Sequence, residues 1–116
     1  LNSRAKDTVQ GTAWDGLAVL CERQRLRIVE ALSNGERCAA ELSATLGIRQ
    51  NTLSHHIKVL RDYELIRVRR DPDDQRWLYY SINEAKLRRL GHTLMRLADN
   101  ARSAEETVER PKAATT

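Results

Sequence analysis

Apolar residues recur three and four apart through the first half of the chain, alternate with polar ones past its middle, then return to helical spacing. Trp14, Leu17, Ala18 and Cys21 form the first such set and predict a helix over residues 12–20. A second helix is expected over residues 22–32, with Leu26, Val29 and Leu32 inward and Ile28 beside them. Ser33-Asn34-Gly35 ends it, since Asn and Gly adopt at little cost the left-handed conformation that follows a helix. A third helix is expected over residues 39–46, with Leu42 and Leu46 inward and Gly47 closing it. After the short turn Ile48-Arg49-Gln50, a fourth begins at Gln50 or Asn51 and buries Leu53, Ile57 and Leu60.

Beyond Glu64 the period changes. Ile66 and Val68 alternate with Arg67 and Arg69, and Leu78, Tyr80 and Ile82 alternate with Trp77, Tyr79 and Ser81. Asp71-Pro72-Asp73-Asp74 between them is turn chemistry, so the stretch reads as a β-hairpin with one apolar face. A last helix starts near Asn83, a good N-cap, with Glu84 favourably placed in its first turn. Leu87, Leu90, Leu94, Leu97 and Ala101 follow a three-four spacing along it. Such a seam packs either on its own domain or against a partner helix across a two-fold axis. The other helices already supply a core, so a dimer interface of Trp14, Leu17, Leu87, Leu90, Leu94 and Leu97 is expected.

Third helix, Gly-containing turn and fourth helix make a helix-turn-helix, and the hairpin after it reads as a wing. The expected fold class is α+β, mainly α: a winged helix-turn-helix with a two-stranded β-wing and terminal dimerisation helices. At 116 residues the chain has the size of one domain. Residues 1–10 are expected to be a flexible arm, 11–102 the folded unit, and 103–116, polar and containing Pro111, a disordered tail.

Charge sharpens this picture. The formal net charge is +4, modest for a nucleic-acid-binding chain, but Arg67, Arg69, Arg70 and Arg76 cluster on one short ribbon. Gln50, Asn51, Thr52, Ser54 and His55 occupy the first turns of the fourth helix, opposite Leu53, Ile57 and Leu60. Short polar side chains there can reach base edges in a major groove. Arg49, His56, Lys58, Arg70, Gln75 and Arg76 complete the expected DNA-binding set, the last three flanking the wing tip to hold phosphates. Asp71, Asp73 and Asp74 at the tip would repel a phosphate backbone, so its flanks are the part expected to engage.

Three segments resemble the ArsR/SmtB family: Leu20-Cys21-Glu22-Arg23-Gln24-Arg25-Leu26-Arg27-Ile28, Thr52-Leu53-Ser54-His55-His56-Ile57-Lys58-Val59-Leu60 and Arg76-Trp77-Leu78-Tyr79-Tyr80. The resemblance covers residues 17–82 and implies homodimeric bacterial repressors that leave a two-fold symmetric operator when an inducer appears. It also implies a dimer built from the first and last helices, and base-reading positions at Gln50, Asn51, Ser54 and His55. The sensor sites of the family carry over poorly. Arsenite sensing uses a Cys-x-Cys pair, whereas Arg37-Cys38-Ala39-Ala40 offers one thiol. The family's other metal site would fall on Glu84, Lys86, Leu97 and Asn100, which cannot supply the roughly four ligands zinc needs. No metal and no cofactor are therefore expected, and the inducer is unidentified.

Cys21 and Cys38 form a possible thiol or metalloid sensor, if one is accessible with a lowered pKa or if the fold brings Cys21 near Cys38 as a second ligand; a small buried apolar role is the plainer reading. Two cysteines do not make a disulfide framework, and no signal peptide or membrane-length apolar run appears, so a cytoplasmic setting is expected. No Gly-rich phosphate loop or nucleophile elbow suggests an enzyme. The competing class is a winged helix that docks proteins, which would need neither the polar first turns nor the hairpin arginines.

Overall fold

The computed structural model describes residues 13–107, which form five helices and three short strands. They run α1 (Ala13–Leu20), α2 (Arg23–Leu32), β1 (Arg37–Cys38), α3 (Ala39–Leu46), α4 (Gln50–Asp62), β2 (Ile66–Arg70), β3 (Leu78–Ile82) and α5 (Glu84–Thr107). The expected arm over residues 1–10 lies outside the described residues, as does the end of the expected tail.

α1 turns Gly16 and Val19 inward and leaves Trp14, Ala18 and Cys21 exposed. Gly16 permits a close approach to α5, because a Cβ there would stand 3.1 Å from a methyl of Leu90. Glu22 caps α2, its carboxylate accepting from the Arg25 amide at 3.0 Å. The stripe that α2 buries is Ile28, Val29 and Leu32, whereas Leu26, expected inward, is 49% exposed. Two residues turn a helix by about 200°, so once Ile28 faces the core Leu26 faces solvent. Leu26 and Ile28 are both apolar, and periodicity could not choose between the two stripes.

α3 begins at Cys38, whose amide donates to the Glu41 carboxylate at 3.0 Å. It stops at Gly47, which takes a left-handed φ of 67° while its amide bonds the Ser43 carbonyl at 2.9 Å. The Ser43 hydroxyl donates to the Ile48 carbonyl at 2.6 Å, and the Ile48 side chain, 5% exposed, plugs the turn. α4 then buries Leu53, His56, Ile57 and Leu60, an i, i+3, i+4, i+7 stripe. It ends in Tyr63 and Glu64; Glu64 holds a left-handed φ of 60°, with its carbonyl accepting from the Asn83 side chain at 2.9 Å.

The hairpin pairs Ile66 with Ile82, Val68 with Tyr80 and Arg70 with Leu78. The expected two-stranded wing is in fact part of a three-stranded antiparallel sheet of order β1-β3-β2. Arg37 pairs with Tyr80 and Cys38 with Tyr79. A two-residue strand is too short to show alternation, which is why the sequence pattern did not reveal it. Asn83 opens α5, its side chain accepting from the Lys86 amide at 3.3 Å. α5 runs five residues past the expected end at residue 102, reaching Thr107, so the start of the expected loose tail is helical. Val19, Ile28, Leu42, Leu53, Leu60, Leu65, Tyr80 and Leu90 join these elements in one core.

Candidate nucleic-acid interface

Burial of Leu53, Ile57 and Leu60 turns the opposite face of α4 outward. Gln50, Asn51, Thr52, Ser54, His55 and Lys58 are all exposed, as is Arg49 just before the helix. Asn51 accepts from the Thr52 amide at 3.0 Å, and Lys58 pairs with Asp62 one turn on at 2.9 Å. The helix N-terminus therefore presents a row of short donors and acceptors on a rigid element. His56 departs from the expected set. It is 9% exposed and sits against α2, with Nδ1 3.5 Å from Arg25 and 3.6 Å from Glu22. Position 56 falls on the inward stripe with Leu53, Ile57 and Leu60, a signal that the polar residue type masked.

The wing is arranged differently. Arg69 lies against Glu36 through Nε at 3.0 Å and stacks on Tyr79 with its guanidinium carbon 4.8 Å from the ring centre. Arg70 donates to the Gln75 carbonyl at 2.7 Å. Arg76 bonds Asp74 at 2.8 and 3.0 Å. Arg67 reaches the Asn83 side chain at 3.2 Å. The Arg69 guanidinium holds the Glu36 carboxyl below the usual carboxylate range, and Arg76 does the same to Asp74. The tip closes on itself, Asp71 accepting from the Asp73 amide at 2.9 Å and its own amide donating to Trp77 at 2.9 Å. Gln75, Arg76 and Trp77 remain exposed beside it. The role of Glu36 was not visible in the sequence, because it lies 33 positions from Arg69.

A second surface is apolar. Trp14 is 56% exposed, Leu94 53%, Met95 63% and Leu97 39%, all on α1 and α5. Leu17 and Leu87 are half-buried. Leu90, expected on the same seam, is 2% exposed and belongs to the chain's own core beneath Gly16. Met95, which the three-four spacing passed over, is exposed as well. Cys21 is exposed, whereas Cys38 is 7% exposed at the start of α3. Among the described residues no group of three or more His, Cys, Asp or Glu could hold one metal ion. Among them, too, no helix is long and apolar enough to cross a membrane.

A helix, a tight turn, a second helix with a polar leading face, and a hairpin packed beside it define a winged helix-turn-helix protein. Residues 22–68 match the model for bacterial regulatory proteins of the arsR family. Over 90 residues the chain is 31% identical to nodulation protein NolR of Rhizobium meliloti, covering 78% of this chain and 72% of that one. The chain belongs to the arsR family. It is also 42% identical over 71 residues to an arsenical resistance operon repressor of Staphylococcus aureus, covering 61% of this chain and 65% of that protein. Among solved structures, a possible transcriptional regulator for arsenical resistance superposes with a TM-score of 0.65 at 27% identity, covering 82% of this chain and 98% of that one. NolR from Sinorhizobium fredii superposes with a TM-score of 0.58 at 25% identity, over 78% and 87% of the two chains. The chain spans about half to two thirds of the length of several curated relatives it matches.

Proposed function

We propose that this chain is a sequence-specific DNA-binding transcriptional repressor that works as a homodimer on a two-fold symmetric operator. The observation that carries the reading is the exposed polar row Gln50, Asn51, Thr52, Ser54 and His55 on a helix seated by Leu53, Ile57 and Leu60. Gln50 and Asn51 match adenine edges, and Ser54 and His55 can donate or accept at neighbouring bases. Arg49, Lys58, Arg70, Gln75 and Arg76 are exposed and would make the phosphate contacts that fix the register. Relatives named as arsenical resistance operon repressors and biofilm growth-associated repressors support the repressor role.

The exposed Trp14, Leu94, Met95 and Leu97 supply a self-complementary apolar patch for the dimer, with Leu17 and Leu87 at its edge. Two copies would place their α4 helices in successive major grooves, with half-sites about one helical turn apart. The folded unit would act in the cytoplasm, where Cys21 stays a free thiol. Arsenite is not the expected inducer, because Cys38 is a lone thiol and is 7% exposed.

Fluorescence anisotropy of the reduced protein on its own upstream DNA tests the proposal. Tight binding that weakens steeply with salt and discriminates against scrambled sequence is the expected result. Binding without salt dependence or discrimination would leave a protein-docking winged helix instead. Addition of arsenite should leave the anisotropy unchanged; release would mean that Cys38 finds partners across the dimer.

A further inference from the structure

His55 and His56 are adjacent on α4 but face different ways, His55 exposed and His56 9% exposed. The Nδ1 atom of His56 lies 3.5 Å from the Arg25 guanidinium and 3.6 Å from the Glu22 carboxylate. One ring nitrogen thus faces a donor and an acceptor together. A neutral ring protonated at Nε2 can only accept at Nδ1, from Arg25, whereas an imidazolium can only donate there, to Glu22. Neither neighbour is idle. Arg25 Nε donates to the Val19 carbonyl at 2.7 Å, tying the last turn of α1, and Glu22 caps α2 through the Arg25 amide at 3.0 Å. Three helices therefore meet at one imidazole. The charged or titratable groups facing it are Glu22 and Arg25 at the start of α2 and, on its own helix, His55, whose ring centre is 5.6 Å away.

We propose that His56 is a positioning residue that seats α4 on the α1–α2 corner by exchanging partners, Arg25 when neutral and Glu22 when protonated, and so makes DNA binding pH-dependent. The inference rests on the DNA-binding reading above and adds a mode of regulation to it. Burial pushes the imidazole below its ordinary value of 6.5 despite the pull of Glu22, and Arg25 and His55 push the same way. Because the folded value is depressed, the contribution of the neutral arrangement to stability is full above about 6.5. It is lost as pH falls through the folded value. Protonation repels Arg25, which holds α1, and draws Glu22 from its capping role. His55 lies on the proposed DNA face, so replacing it in both forms compared lets the measurement read His56 alone.

Nitrogen-15 NMR of the ring, without DNA, across about pH 5 to 8 tests the exchange directly. The expected result is a neutral Nε2–H tautomer at the upper end and a doubly protonated ring at the lower. Glu22→Gln should lower the titration point and Arg25→Met raise it. A neutral Nδ1–H tautomer throughout, or a titration indifferent to both variants, would overturn the proposal. The second measurement is anisotropy on operator DNA at fixed ionic strength, comparing His55→Gln with the His55→Gln/His56→Gln double variant. Gln can both accept and donate, and thermal unfolding reports whether the fold survives. Affinity of the single variant should fall about tenfold for each unit by which bound and free His56 pKa values differ. The double variant should be flat. Equal slopes in the two would overturn the proposed pH dependence. Absence of DNA binding by the unaltered protein as well as by both variants would defeat the DNA-binding reading, while the NMR titration would still decide the exchange.

Discussion

α4 and the wing lie side by side yet hold their polar groups in opposite states. On α4 the leading side chains are exposed, and few have partners beyond their own helix. In the wing, every arginine of the ribbon is already engaged: Arg67 by Asn83, Arg69 by Glu36, Arg70 by the Gln75 carbonyl and Arg76 by Asp74. The difference suits a division of labour. Groups that read bases lose least when they are pre-placed and need no internal bond broken. Under the proposed function the wing arginines would hold phosphates by long-range attraction, and their acidic partners would temper it. Surface ion pairs of this kind contribute little stability, so exchanging Asp74 or Glu36 for a phosphate costs little.

The largest way to break the comparison is to unseat α4. Leu53 is fully buried beneath the polar row. Leu53→Ala should cost about 2–5 kcal/mol of stability, read by urea unfolding, and abolish specific binding. Next comes the row itself. Gln50→Ala should cost about 1–3 kcal/mol on the preferred operator and almost nothing on scrambled DNA, compressing the specificity ratio measured by competition anisotropy.

The wing should behave in the reverse manner. Arg76→Ala should weaken all sequences alike and flatten the salt dependence, by less than about one unit of slope because Asp74 already offsets part of the charge. An unchanged affinity and slope would remove the wing from the interface. Glu36→Gln gives the smallest expected effect and the most informative sign: freed from its carboxylate, Arg69 should tighten binding to every sequence and steepen the salt slope. Weaker binding by this variant would mean that the Glu36–Arg69 pair shapes the wing instead of tempering it.

The fourth helix was legible because its apolar residues, Leu53, Ile57 and Leu60, recur at a single unambiguous spacing, which leaves the polar residues only one side to occupy. The hairpin was legible because Asp71-Pro72-Asp73-Asp74 separates two alternating runs. Where two apolar stripes were available the pattern misled, as with Leu26 against Ile28. Trp14 and Leu90 show the same ambiguity between core and surface. Both are large, apolar and helically spaced, but Gly16 lets α1 settle on Leu90, which takes Leu90 out of the exposed seam and leaves Trp14 on it.

Sequence alone determined the local elements, their order and the polarity of the face that α4 offers, because periodicity and turn chemistry act over a few residues. Tertiary structure decided what those elements touch. It added β1 to the edge of the hairpin, carried Glu36 across 33 positions to Arg69, and turned His56 into the corner of Glu22 and Arg25 while His55 stayed in solvent. The reason is physical: adjacent helical residues point about 100° apart. The spacing of Leu53, Ile57 and Leu60 already turns position 56 to the inner side of α4, but what His56 meets there depends on where a distant helix packs, and no local pattern records that.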